Sequence, residues 1–179
     1  MRKTTVAVLV ALSIAGAGGY AIAEQGAQSH GQGQRQAGKG GVEVVRSTKA
    51  MTIDAAVQAA RATLDAAEAE GHRVTVAVVD RGGDLVVLLH GDGAGPQTEE
   101  SAKRKAYTSA SFGAPTSELA GRVTGAGATL RDMPGTLFLA GGVPVRAEGA
   151  VVAGIGVGGA PSGDLDEKFA KAGLAAIGL

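Results

Sequence analysis

The chain contains no cysteine and no tryptophan, and aromatic residues make up only 3% of its 179 residues. Without cysteine, disulfides, thiolate nucleophiles and thiolate metal ligands are all excluded, so stability must come from burial and from assembly. Scarce aromatics remove the stacking platforms on which single-stranded nucleic acids lie. A formal net charge of zero removes the cationic footprint of a phosphate-backbone binder, so no nucleic-acid partner is expected. Three histidines, His30, His72 and His90, limit imidazole chemistry to a few places.

Long apolar runs are also missing beyond the N-terminus. The opening "MRKTTVAVLVALSIAGAGGYAIA" has the parts of a signal peptide over residues 1–23: a basic start at Arg2 and Lys3, an apolar stretch from Val6 to Ala15, and the small-residue site Ala21-Ile22-Ala23. A membrane span needs about 20 apolar residues, and Ser13 and several glycines interrupt this run. Export with cleavage after Ala23 is therefore expected, giving a secreted, extracellular protein. Cleavage takes Arg2 and Lys3 from the 17 basic residues, which leaves 15 against 17 acids and a mature charge of −2. Residues 24–49 are rich in glutamine and glycine and almost free of large apolar side chains before Val42, so they read as a flexible tail.

Residues 50–179 carry the pattern of one globular domain. Ile53, Val57, Ala60 and Leu64 recur at helical spacing between a capping Thr52 and a terminating Gly71. Two β-branched runs follow, joined by Arg81-Gly82-Gly83-Asp84 as a hairpin turn. A helix from Gln97 sets Ala102, Ala106 and Ala110 on one face and Lys103, Arg104 and Lys105 on another. A shorter helix starts at Thr116 or Ser117, with Glu118 in its first turn. Then "TLFLAGGVPVRAEGAVVAGIGVGGA" gives three apolar runs, read as a β-meander, and a last helix is capped by Ser162 or Asp164, with Leu165, Phe169 and Ala172 inward. The expected fold class is α+β, a five-stranded, mainly antiparallel sheet flanked by helices.

Gly154, Gly156 and Gly159 spell G-x-G-x-x-G between a strand and a helix, the position of a dinucleotide fingerprint. That motif needs a second strand and an acidic residue about 20 positions on, and the sequence stops at Leu179. The glycines read instead as a place where another backbone, a packed helix or a flat ligand comes close. Catalytic signals are thin: "APSGD" is not a nucleophile elbow, and no base and nucleophile recur at usable spacing, so the chain reads as a binder and not an enzyme. His72 and His90 each stand at the end of an element. A metal site of His90 with Asp92, Glu99 and Glu100 is conceivable, although no fixed ligand spacing supports it.

The stretches "VTVAVVDRGGDLVVLLHGDGAGPQTEESAKRKAYTSASFGAPTSEL", "PGTLFLAGGVPV" and "GAVVAGIGVGGAPSGDLDEKFAKAG" resemble the GlcG/HbpS family of haem-binding proteins, from about Met51 to the C-terminus. The V-D-x-x-G-x-L hairpin, K-A-x-T helix, F-x-x-P-T turn, G-G-x-P turn and G-x-G-V-x-G-A strand come in the family's order. The exported, tail-bearing form is most similar to its secreted branch. The resemblance implies a profilin-like sandwich, homo-oligomers such as octamers, and haem bound for sequestration or for haem and redox sensing, with a membrane sensor kinase as partner. Haem needs an apolar slot, cations for its propionates and usually an axial ligand. The loop "LRDMPGTLF" offers Arg131 to a propionate, Met133 and Thr136 to the iron, and Leu137 and Phe138 as walls. Thr136, in the matching P-G-T motif, is the implied haem contact. An E-x-x-E pair on the middle helix would suit exposed iron, but here Glu100 is followed at that spacing by Lys103.

Overall fold

The computed structural model describes residues 44–124 and 129–179. Residues 1–23 and nearly all of the tail lie outside the described residues, as do residues 125–128, which include the end of the predicted shorter helix. Residues 44–50 are exposed and belong to no helix or strand. The compact unit runs from Val45 to Leu179.

Helix α1 (Ile53–Ala69) leads into the hairpin β1 (Thr75–Asp80) and β2 (Leu85–His90), then α2 (Gln97–Phe112) and the short α3 (Thr116–Ala120). Two single-turn 3-10 helices, Gly121–Val123 and Leu130–Asp132, precede β3 (Gly142–Ala147), β4 (Ala150–Gly158) and α4 (Gly163–Ala176). The strands lie in the order β2-β1-β4-β3 with every neighbouring pair antiparallel. Thr52 Oγ1 caps α1 by accepting from the Ala55 N–H, and Ser162 caps α4 by accepting from that of Leu165.

The sheet has four strands among the described residues, where the sequence predicts five. The missing one is the first run of the meander, Thr136–Ala140. Its Leu137 N–H donates to Thr108 Oγ1 of α2 at 2.8 Å, and the Phe138 ring packs 5.6 Å from that of Phe112. Tethered to helix side chains, the segment is not paired to a strand.

One face of the sheet packs against α1 and α4 around Val76, Val78, Ile155, Val157 and Phe169. The predicted stripe on α1 is only partly the buried one. Ile53 and Val57 remain 57% and 47% exposed, while Ala56, Ala59, Ala60, Thr63 and Ala67 are buried. The small residues win because α4 crosses closely: a Cβ on Gly173 would sit 2.7 Å from the Ala59 carbonyl oxygen.

The other face carries α2, and here the glycine motif finds its explanation. Gly154, Gly156 and Gly158 pair across the ladder with Val79, Ala77 and Thr75. A Cβ on Gly154 or Gly156 would collide with the carbonyl oxygen of Ala106 or Ala102, and one on Gly158 would lie 2.8 Å from that of Thr98. The alanine face of α2 thus rests on bare strand backbone. Lys105 departs from the predicted cationic face and is buried, only 3% exposed. Three consecutive helical positions sweep about 200°, so they cannot share one face.

Candidate ligand pocket

Because α2 lies so close to the sheet, its Lys103, Arg104 and Tyr107 stand beside the β1–β2 turn. Together with Val79, Gly83, Leu85, Pro134 and Gly135 they line a cavity of about 390 Å³. Its walls come from the hairpin, one face of α2 and the loop before Thr136. Tyr107 follows Lys103 by four residues and Arg104 by three, so helical spacing puts all three on one side. Leu85 is half exposed at the rim.

The two cations are held by acids of the same helix. Lys103 Nζ lies 3.1 Å from Glu99 and 3.6 Å from Glu100, and Arg104 Nε donates to Glu100 at 2.6 Å. The hydrogen bond from Arg104 holds the Glu100 carboxyl below its usual range, with Lys103 adding to the effect. The hydrogen bond to Glu99 raises Lys103. Both cations line the pocket, where they could meet carboxylates of a ligand.

The loop residues proposed from the sequence sit on the segment that supplies Pro134 and Gly135. Thr136 is 8% exposed, and its Oγ1 donates to the Met133 carbonyl at 2.7 Å. Phe138 is buried against Phe112. Met133 is 47% exposed, and Arg131, whose Nε donates to Thr129 Oγ1 at 3.0 Å, is exposed in the 3-10 turn. None of these four lines the pocket; the lining residues that this loop supplies are Pro134 and Gly135.

Glu100 and His90 are not gathered into one cluster. Glu100 is engaged by Arg104 and Lys103. Both ring nitrogens of His90 are occupied, Nδ1 with Thr75 Oγ1 at 2.8 Å and Nε2 with the Ala94 carbonyl at 3.1 Å. Among the described residues, no three His, Asp or Glu side chains group closely enough to hold a metal.

Sequence reasoning missed Leu85, Gly83 and Tyr107, and gave Lys103 and Arg104 no part in a ligand site. A signal was present: the chain has two tyrosines, and Tyr107 is the one outside the first 23 residues. Also missed was the buried pair of Lys105 and Asp166, 2.7 Å apart, in which Lys105 also donates to the Val157 carbonyl at 3.0 Å. These groups satisfy each other and tie α2 to β4 and α4.

The residues present suit a flat, amphipathic, anionic ligand. Val79, Leu85 and Pro134 give apolar contact, Lys103 and Arg104 give charge, and Tyr107 gives an oxygen. Haem has that chemistry.

Comparison with known proteins gives the same direction. Residues 51–175 match the family model described as "Haem degrading protein HbpS-like". The crystal structure of HbpS is 60% identical with a TM-score of 0.73, covering 79% of this chain and 99% of that one. A double mutant of Streptomyces reticuli HbpS matches equally well in identity and TM-score, with 79% and 96% covered. The crystal structure of a PduOC–haem complex is 25% identical with a TM-score of 0.67, over 73% of this chain and 96% of that one. No curated protein matches.

Proposed function

Since the chain belongs to the HbpS-like family of haem-binding proteins, we propose that it is an exported, homo-oligomeric haem binder that sequesters haem or reports haem and redox stress. The observation that carries this reading is the pocket beside α2, where apolar residues and two cations line one cavity of about 390 Å³. Lys103 and Arg104 would hold the propionates, and Val79, Leu85 and Pro134 would cover the ring. Bound haem would supply a redox-active iron centre; the chain supplies the slot and the charge. The PduOC relative, solved as a haem complex, supports the ligand class. In the sensing role, a membrane sensor kinase is the partner we propose.

The test is a titration of the processed chain with haemin, followed by absorbance and by light scattering on the same sample. A saturable Soret shift on a defined oligomer supports the reading, and no shift beyond a protein-free blank ends it. A second reading, ring degradation, is favoured by the family's description. Steady bleaching of the Soret band on adding a reductant in air, with release of iron, would turn the proposal from binder to enzyme.

A further inference from the structure

We infer that Tyr107 is the iron-ligating side chain of this pocket and that Thr136 holds the loop instead; the inference rests on the haem reading above. The Tyr107 ring is flanked by two glycines, closely by Gly83 and more loosely by Gly135. A Cβ on Gly83 would lie 2.6 Å from Cε2, and one on Gly135 would lie 3.7 Å from Cε1. Both glycines have positive φ, +91° and +81°; a Cβ would collide with the ring at Gly83 and only touch it at Gly135, so the β1–β2 turn sets the position of the ring and the Pro134–Gly135 loop lies along its other edge.

The phenolic oxygen is left available. Among the described residues nothing hydrogen-bonds Tyr107 Oη, and no buried side-chain oxygen lacks a partner, so this oxygen is open to the cavity or to water. Thr136 is the opposite case: its hydroxyl proton is given to the Met133 carbonyl, and it does not line the cavity. An aliphatic hydroxyl is a weak ligand, whereas tyrosine oxygen is an established axial ligand of ferric haem iron. Coordination would break the phenolic O–H bond, release the proton to solvent and form the Fe–O bond, with iron remaining ferric.

The experiment uses the chain after leader removal, which retains the compact unit Val45–Leu179. Haemin complexes of wild type, Tyr107→Phe, Gly83→Ala and Thr136→Val are compared by absorbance and resonance Raman. Wild type is expected to show a phenolate-to-iron charge-transfer band and enhanced phenolate ring modes. Tyr107→Phe should lose both and bind haemin about tenfold more weakly or worse, the scale on which even an outer partner of a metal ligand matters. Gly83→Ala, which keeps the phenol but displaces its ring, should lose the modes too, while Thr136→Val keeps them. Wild-type binding without phenolate modes overturns the inference alone, as does an unchanged spectrum in Tyr107→Phe. Absence of saturable binding in wild type overturns the haem reading and this inference with it.

Discussion

Asp166 and Glu167 are neighbours on α4, both buried, and their environments push their carboxyls in opposite directions. Burial raises Asp166, and the hydrogen bond and charge of Lys105 only partly offset it. Burial also pushes Glu167 upward, but hydrogen bonds from Lys171 and Ser117 outweigh it and hold the carboxyl below its usual range. Glu167 accepts from Lys171 Nζ at 2.8 Å, from Ser117 Oγ at 3.0 Å and from the Ser117 N–H at 3.3 Å, joining α4 to the start of α3. A carboxyl lowered in the fold stabilises it above the unfolded value, about 4.3 for glutamate, and loses that contribution as pH falls through the folded value. Glu167→Gln should therefore cost about 1.5–3 kcal/mol at neutral pH, the scale of charged hydrogen bonds. Urea denaturation at several pH values should show the gap between the two proteins closing as pH drops below the usual carboxylate range. A gap independent of pH would assign the effect to packing.

Helix α2 and strand β4 form the tightest contact between elements, and it depends on backbone meeting backbone. At Gly156 a methyl group would meet the Ala102 carbonyl oxygen and the Ala106 nitrogen, with Ala106 Cα 3.0 Å away, all of them main-chain atoms that cannot turn aside. Gly156→Ala should cost about 1–3 kcal/mol or more, as overpacking against a rigid neighbour does. Gly149→Ala is the contrast for crowding: no atom lies within 4 Å, and its cost comes from φ +78° alone. Equal denaturation midpoints for Gly156→Ala and wild type would remove close packing as the reason for the motif. At this scale the sequence was legible where the signal is local. The hairpin at Arg81–Asp84, the cap at Thr52 and the strand around Gly154 could all be read from short patterns. The Thr136–Ala140 run is apolar like a strand, but its partners, Thr108 and Phe112, lie on a helix that pattern reading cannot place. The pocket was hidden for the same reason: its walls come from residues 79–85, 103–107 and 134–135, brought together only by the seat of α2 on the sheet.

For the whole molecule, the absence of cysteine and the cleft between hairpin, helix and loop bear on stability together. No covalent link restrains the unfolded chain, so reductant should leave the ligand-free melting temperature unchanged. The pocket joins segments far apart in sequence, so a ligand that fills it binds the folded state and has no equivalent site once those segments separate. Haemin at about a hundred times its Kd should add roughly 2.7 kcal/mol, and for a domain of this size raise Tm by about 10 °C. Lys103→Ala with Arg104→Ala should bring the rise down, because the cations that meet the propionates would be gone, while their exposed position keeps the cost to the free protein small. Differential scanning fluorimetry would be obscured by haem absorbance, so calorimetry with and without haemin is the measurement. A rise that survives the double substitution in full would place the ligand elsewhere on the molecule, whereas a rise lost with it ties the stabilisation to the charged mouth of this pocket.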